Sequence, residues 1–283
     1  MASLRLENNF SLLLGKEIAK CSSAMDVNNL FSSSTFVQFI EIVTKLVLDH
    51  HYLHISNIPF SPRREVLEAI AGLFGTFRYP VENTRICVDC THDGCSIEDL
   101  PLHNDDAILD VMPMFGILQV EQECPLNMPT NGIVLVDELV SYLELHNTEL
   151  LRRLLTSKVP MLASKTTKVI ENNEVVFKKQ GDEHLVKKSI LFHEEGVYKS
   201  RFSLGRIKYY YFKNNLVQPK DEKNMIVEFM EIANRLRKCL YIKQNDILIY
   251  NNQRTLHDRS ECGIEVGMNG KIKSRSFYIA FAN

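Results

Sequence analysis

Four short apolar runs constrain the fold of this chain more than any other feature. They lie at residues 114–123, 131–138, 246–250 and 276–282, and polar or turn-forming residues bound each of them. Runs of this length that are rich in Val, Ile and Phe predict buried β-strands. Because they are distributed over the middle and the C-terminal part of the chain, they predict a β core decorated by a few helices.

Helical periodicity appears in the N-terminal part and between these runs. Apolar stripes with helical spacing span residues 36–47, 66–74 and 225–240. Residues 139–155 are also predicted to form one helix. Residues 164–217, including the tyrosines at 209–211, are rich in β-favouring residues, and they predict strands joined by turns such as Asn172-Asn173.

The composition excludes several classes of protein. The 283 residues include 33 basic and 35 acidic side chains, a formal net charge of −2, which argues against a nucleic-acid partner. No apolar run approaches the roughly 18 residues of a membrane span. The seven cysteines, an odd number, indicate reduced thiols in a cytoplasmic protein. We expect a single domain over residues 1–283, with residues 1–34 as an N-terminal extension or loop.

The segment PLHNDDAILD, residues 101–110, places an imidazole and a carboxylate two residues apart. In an extended chain His103 and Asp105 project from the same face, while Asn104 points away. Two histidines and one carboxylate on one side of an octahedron leave three positions open, as non-haem Fe(II) requires. The pair therefore needs a second histidine from elsewhere. The alternative is that Asp105 and Asp106 simply cap a turn.

A second segment supplies that histidine. Residues 244–260 read QNDILIYNNQRTLHDRS, a turn and an apolar strand followed by a polar loop and His257. Together with the His-x-Asp pair and with Arg275 on the last strand, this segment resembles the taurine dioxygenase and clavaminate synthase-like branch of the Fe(II)/2-oxoglutarate-dependent oxygenases. The resemblance extends weakly over almost the whole chain and is specific in these two motifs. Asn245 stands where glycine is usual, and asparagine also tolerates left-handed geometry.

The resemblance implies an α+β fold with a mainly β core, a double-stranded β-helix (jelly roll) with flanking helices. It implies that His103, Asp105 and His257 are the catalytic metal ligands for Fe(II), with 2-oxoglutarate and O2 as cosubstrates. The implied reaction hydroxylates or desaturates a small polar molecule, such as an amino acid or its derivative, and releases succinate and CO2. The substrate class rests on analogy alone.

Arg275 is, within this resemblance, the expected holder of the distal carboxylate of 2-oxoglutarate. A guanidinium can bind a carboxylate through two parallel hydrogen bonds. The interval between His257 and Arg275 is longer than is usual in the family, so other cations remain rival holders of this carboxylate. These rivals are Arg259, Lys271 and Lys273.

Val134 marks a departure from the family, which often has a Thr or Ser hydroxyl at this position beside 2-oxoglutarate. The lost hydrogen bond, about 0.5–1.5 kcal/mol, would weaken cosubstrate binding. Together with the long interval before Arg275, it leaves open a catalytically degenerate jelly roll that acts as a binding module. A third hypothesis is a hydrolytic enzyme that holds zinc with the same ligands.

A cluster of thiols and one imidazole precedes the His-x-Asp pair. Its spacing fits no zinc module that we can identify, and we expect loop cysteines near the cofactor entrance. The cluster comprises Cys87, Cys90, His92 and Cys95.

Overall fold

The computed structural model describes residues 2–20, 29–88, 93–163, 166–171, 174–179 and 184–283, with the backbone alone at residue 93 and over 166–179. The strands in these ranges are β1 (Ser3–Arg5), β2 (Tyr52–Ser56), β3 (Glu82–Arg85), β4 (Leu100–His103), β5 (Phe115–Gln122), β6 (Thr130–Leu135), β7 (Val159–Leu162), β8 (Thr166–Glu171), β9 (Glu174–Lys179), β10 (Leu185–Lys188), β11 (Leu191–Glu194), β12 (Val197–Ser200), β13 (Lys238–Tyr241), β14 (Ile247–Asn251), β15 (Thr255–Arg259), β16 (Glu265–Val266), β17 (Ile272–Lys273) and β18 (Ser276–Ala282). The helices are α1 (Asn8–Ala19), α2 (Ser34–His50), α3 (Arg64–Gly72), α4 (Val136–His146), α5 (Thr148–Thr156), α6 (Leu204–Lys213) and α7 (Lys220–Leu236).

Two sheets form the β-rich core of this mixed α and β structure. The larger sheet has the strand order β1-β2-β14-β5-β18-β3, and the smaller has the order β13-β6-β15-β4. β1 and β2 pair in parallel, whereas the other neighbours in both sheets are antiparallel. All four apolar runs of the sequence analysis contribute strands to these sheets, as β5, β6, β14 and β18. The prediction of a β core is confirmed.

The structure has four layers: helices, the larger sheet, the smaller sheet and further helices. An apolar cluster lies between each pair of adjacent layers. One face of the larger sheet packs against α1, α2 and α3, and the opposite face packs against β6 and β13 of the smaller sheet. The outer face of the smaller sheet packs against α4, α5 and α7. Each sheet is therefore buried on both faces, which explains why its strands are continuous apolar runs and not alternating ones. The space between the two sheets is where polar side chains can be enclosed.

The N-terminal region is not the loop that we expected for residues 1–34. Residues 3–5 add a parallel strand to the edge of the larger sheet, and α1 buries Leu14 and Ile18 against the apolar cluster beneath it. The sequence of β1 carries no strand pattern. Pairing with β2 supplies hydrogen-bond partners for its backbone groups. Residues 21–28 lie outside the described residues.

The predicted helix over 139–155 is two helices. The strand ends at Leu135 and α4 begins at Val136, inside the run that we assigned to a strand. Asn147 has φ −157° and ψ 69°, and its side chain accepts a hydrogen bond from the Leu150 N–H, so it ends α4 and caps α5. An apolar periodicity that continues through a capping asparagine hides such a break.

The tyrosine run at 209–211 lies in α6 and not in a strand. Aromatic residues favour strands only weakly, and tertiary packing decides their state. Here α6 buries Ile207 and packs against β7, and the Tyr211 hydroxyl donates a 2.9 Å hydrogen bond to Glu222 of α7. The hairpin of β8 and β9 agrees with the strands predicted nearby, and the turn at Asn172-Asn173 lies outside the described residues.

Among the helices of the described ranges, none combines the length and the apolar character that a membrane crossing needs.

Cys95 is disulfide-bonded, whereas Cys87, Cys124, Cys239 and Cys262 are free. The expectation of uniformly reduced thiols is therefore wrong for Cys95. Cys90 and His92 of the predicted cluster lie outside the described residues.

An ion pair ties the smaller sheet to the end of α7. Arg237 donates to both carboxylate oxygens of Asp258, with 2.7 Å between Nη2 and Oδ1, and the same Oδ1 accepts the Gly132 N–H at 2.6 Å. Both side chains are largely buried. A Cβ at Gly132 would lie only 2.1 Å from Arg237 Nε, so glycine is needed here for space.

Asp258→Ala should lower the free energy of unfolding by about 3 kcal/mol, because it leaves a largely buried guanidinium and a backbone N–H without their acceptor. Urea denaturation measures this change. Glu149→Ala removes the exposed ion pair with Arg152 and should leave the unfolding midpoint unchanged. Equal effects of the two substitutions would contradict the assignment.

Candidate functional site

The two predicted motifs meet at the inner face of the smaller sheet. β15 pairs with β4 so that His257 lies directly opposite His103, and Asp105 follows β4 by two residues. The Asp105 carboxylate is 3.2 Å from His257 Nε2 and 3.6 Å from His103 Nε2, and the two imidazole ring centroids are 4.3 Å apart. One nitrogen or oxygen from each residue lies within 4.8 Å of the others, and the described residues contain no other such group.

Asn104, between the two predicted ligands, is the anchor of this segment. Its side chain is 1% exposed and makes its hydrogen bonds to residues other than the two predicted ligands. The Asn104 amide donates to the carbonyl of Thr255 at 2.9 Å and to the hydroxyl of Ser200 at 3.0 Å, and its oxygen accepts the Phe202 N–H at 2.8 Å. It therefore connects the end of β4 to β12 and β15.

Asn252 holds the backbone of Asp105 from the other side. Its side-chain oxygen accepts the Asp105 N–H at 2.7 Å, and its amide donates to the Asp105 carbonyl at 3.0 Å. This paired contact supports a turn in which Asp106 takes a left-handed φ of 51°. The backbone that carries the carboxylate is thus fixed by side chains from the loop before β15.

The orientation of His103 suits a ligand. Its Nδ1 lies 2.9 Å from the carbonyl oxygen of Pro101, so Nδ1 carries the proton and Nε2 faces Asp105 with its lone pair available. His257 also directs Nε2 to Asp105, and its buried Nδ1 has no hydrogen-bond partner among the described residues.

The electrostatics favour a charged carboxylate between two imidazoles. Burial by itself would raise the pKa of Asp105, but the adjacent His257 and His103 outweigh it and hold that pKa well below its usual value. Burial and the nearby His103 lower the pKa of His257, against the opposing effect of Asp105. Burial opposes protonation of His103, yet its contact with Asp105 raises the pKa of this histidine above the usual value. An ionised carboxylate beside imidazole nitrogens is the donor set that a divalent metal prefers.

A cavity of about 380 Å³ lies between the two sheets and contains these three side chains in its wall. The larger sheet contributes an apolar wall, and polar residues of both sheets line the remainder. The apolar wall comprises Leu118, Leu248, Phe277, Ile279 and Phe281. This volume is suited to small molecules.

Arg275 is a second polar feature of the same cavity. Its side chain is 1% exposed, Nη2 donates to Asn131 Oδ1 at 2.9 Å, and the buried Nη1 has no hydrogen-bond partner among the described residues. Burial lowers the pKa of this guanidinium. An anion would stabilise a cation enclosed in this way, so the arginine forms an incomplete site for a carboxylate.

The rival cations are less suited to hold that carboxylate. Arg259 lies in the cavity wall, but it donates to the backbone carbonyls of Ser96, Glu98 and Ser260, which commits most of its donors. Lys271 and Lys273 are exposed and do not line the cavity.

The expectation that Val134 stands at the cosubstrate site is wrong. On β6, Val134 points to the outer face of the smaller sheet and packs with Leu256 in the apolar cluster under the helices. Asn131, on the inner face of the same strand, lines the cavity and contacts Arg275. A shift of one residue along a strand exchanges its two faces, and the residue pattern did not determine this register.

Several residues of the site were missed by sequence reasoning. Tyr250 donates its hydroxyl proton to Asp105 at 2.6 Å, and neither its apolar strand nor its spacing indicates this contact. The bracing roles of Asn104 and Asn252 are equally invisible, since each depends on partners far along the chain. Conversely, the histidines near position 50 stay outside the site: His54 pairs with Asp246 at 2.9 Å and His51 with Asp137 at 3.4 Å.

Solved structures of non-heme iron oxygenases share this fold. An asparagine oxygenase in complex with Fe(II), 2S,3S-3-hydroxyasparagine and succinate matches with a TM-score of 0.72 at 13% identity, over 100% of this chain and 93% of that chain. The non-heme iron oxygenase OrfP in complex with Fe, succinate and (3S)-hydroxy-L-Arg matches with a TM-score of 0.71 at 14% identity, over 100% and 94%. OrfP with Fe and alpha-ketoglutaric acid gives 0.70 at 12% identity, over 99% and 94%.

No protein-family model and no curated protein matches the sequence. The structural likeness covers nearly the whole of each chain at very low identity, so it establishes a shared fold. The resemblance seen in the two motifs is confirmed at that level.

Asn104→Ala should lower the free energy of unfolding by about 3 kcal/mol, because it leaves the Phe202 N–H and several carbonyls buried without partners. Guanidinium denaturation measures the change. Asn83→Ala, at an exposed position of the edge strand β3, is the matched control and should have no effect. If N104A unfolded at the wild-type midpoint, Asn104 would not be the anchor of this segment.

Proposed function

We propose that this protein is an Fe(II)- and 2-oxoglutarate-dependent oxygenase built on a double-stranded β-helix. It hydroxylates or desaturates a small polar molecule, such as an amino acid or its derivative, and releases succinate and CO2. The single observation that carries the proposal is the convergence of His103, Asp105 and His257 at one wall of a cavity that also encloses Arg275. The proposal treats residues 1–283 as one catalytic domain.

Two opposed, largely antiparallel sheets with a polar site between them support the jelly-roll assignment. His103 and His257 would hold the iron through their Nε2 atoms, and Asp105 would hold it through its carboxylate. Three protein donors leave room for 2-oxoglutarate and O2. When bound, Fe(II) supplies the oxidative chemistry that protein side chains lack.

The remaining residues of the chain would bind and orient the cosubstrate. The buried Nη1 of Arg275 has no partner among the described residues and would donate to an anion. Asn131 fixes the guanidinium by accepting a hydrogen bond from Nη2. These two residues would hold the distal carboxylate of 2-oxoglutarate. The apolar wall of the cavity would exclude water from the reacting end. Neighbours that bind hydroxylated asparagine and arginine support an amino acid as the substrate class.

The hypothesis of a catalytically degenerate binding module rested on two sequence features, and neither supports it in the structure. Val134 lies on the outer face of the smaller sheet, and Arg275 lies in the cavity despite the long interval after His257. A cytoplasmic location stays a prediction from the cysteine content.

Succinate formation tests the proposed activity. The purified protein is incubated with Fe(II), 2-oxoglutarate and ascorbate in the presence of a panel of free amino acids. We expect succinate above the no-substrate background with at least one member of the panel. Failure to bind Fe(II) or 2-oxoglutarate, together with no turnover, would overturn the proposal.

His257→Ala and Asp105→Ala should each abolish Mn(II) binding, because each removes one of three donors from a site that has no replacement among the described residues. Isothermal titration with Mn(II), a redox-inert stand-in for Fe(II), measures binding. His54→Ala removes a partly buried histidine that pairs with an aspartate outside the cavity, and this control should retain the wild-type affinity. Equal affinities for all three variants would exclude the proposed ligands.

Arg275→Gln should weaken 2-oxoglutarate binding to the Mn(II)-loaded protein about 10- to 100-fold, since a charge-assisted contact to the distal carboxylate is lost. Calorimetric titration with 2-oxoglutarate measures the dissociation constant. Arg85→Gln replaces an exposed arginine on the neighbouring strand β3 and should leave the constant unchanged. Unaltered binding by R275Q would transfer the role to Arg259.

A further inference from the structure

Tyr250 contacts the carboxylate of the site without being one of its three donors. It is 2% exposed on β14, its ring centroid lies 4.4 Å from that of His257, and its hydroxyl donates to Asp105 Oδ2 at 2.6 Å. The hydroxyl is the donor in this contact, because an ionised carboxylate can only accept.

The larger sheet has a built recess for this phenol. Gly116 of β5 pairs directly with Tyr250, and a Cβ at Gly116 would lie 2.4 Å from Tyr250 Cζ and 2.5 Å from its hydroxyl oxygen. Gly116 does not have a positive φ, so the backbone does not require glycine there. The missing side chain leaves the space that the hydroxyl end of the ring occupies.

Tyr250 differs in one respect from an ordinary buried tyrosine of the same sheet. Tyr52 pairs with Tyr250 across β2 and β14 and is 1% exposed, but its hydroxyl accepts the Ala2 N–H at 3.0 Å. Tyr52 therefore satisfies a backbone group at the sheet edge. Tyr250 instead crosses from the larger sheet to a carboxylate attached to the smaller one.

The contact has a consequence for metal binding. If both histidines hold a metal through Nε2, the phenol is the side-chain hydrogen-bond donor that remains to this carboxylate among the described residues. A hydrogen bond that engages one oxygen of a carboxylate favours metal binding through the other oxygen. Binding through both oxygens would fill one of the positions that the cosubstrates need.

We propose that Tyr250, seated over Gly116, is a positioning residue that restricts Asp105 to one metal-bound oxygen and so keeps three coordination positions open. This inference rests on the proposed metal site. It assigns a role to the phenol that the two motifs do not contain.

The test counts the water molecules on bound Mn(II). Water-proton relaxation at saturating Mn(II) reports this number for the full-length protein, without any turnover. Three protein donors leave about three waters on an octahedral ion. In Tyr250→Phe the ring still fills the recess but the donor is lost. We expect the count to fall from about three to two, and 2-oxoglutarate affinity to weaken about tenfold.

Two further variants separate positioning from general structure. Tyr52→Phe removes an equally buried hydroxyl from the adjacent strand and should leave both the water count and 2-oxoglutarate binding unchanged. Gly116→Ala keeps the hydroxyl but displaces it from Asp105, and it should change both quantities in the same direction as Y250F. Thermal unfolding confirms that each variant is folded.

The outcomes distinguish the two proposals. A Y250F protein with the wild-type water count and the wild-type 2-oxoglutarate affinity would overturn the positioning role and leave the oxygenase proposal standing. Equal changes in Y250F and Y52F would overturn it as well, since the effect would then be a general one of the sheet. A wild-type protein that binds no Mn(II) would overturn the metal site and the positioning role together.

Discussion

The structure of the site depends on the position of β15 between β4 and β6 in the smaller sheet. This pairing sets His257 opposite His103 and places the Asp105 carboxylate between two imidazoles. A buried carboxylate is costly unless neighbouring donors stabilise its charge. Here two histidines and a phenol do so, and the same arrangement forms a ready-made donor set for a divalent cation. The rest of the fold encloses and fixes this group.

The bracing is provided by asparagine amides. Asn104 and Asn252 join the His-x-Asp segment to the loop before β15 through backbone and side-chain hydrogen bonds. An amide donates and accepts at once, so each asparagine satisfies groups on two segments that run in different directions. Both are buried, and the burial strengthens the penalty for any displacement. The precision of the site therefore comes from residues that do not line up as a motif.

The cavity contains two groups of polar side chains with different chemistry. One group of polar side chains is two imidazoles and a carboxylate, and the other is the guanidinium of Arg275, which has one buried nitrogen without a partner among the described residues. The larger sheet adds apolar side chains to the wall of the same cavity. A molecule with a metal-binding end and a distal carboxylate, such as 2-oxoglutarate, would match both groups. Tyr250 of the larger sheet donates a hydrogen bond to Asp105, next to the smaller sheet, and so connects the two sheets beside the metal donors.

The sequence by itself indicated the four apolar strands of the core, the three candidate metal donors and Arg275, because apolar runs and short polar motifs are local patterns. It also anticipated the left-handed Asn245, whose φ is 68°. It misjudged what depends on distant partners: the strand formed by residues 3–5, the face of Val134 and the helical state of the tyrosines at 209–211. Only the tertiary structure decided these, and also the contact of Tyr250 with Asp105, because register and helix packing are set by residues far apart in the chain.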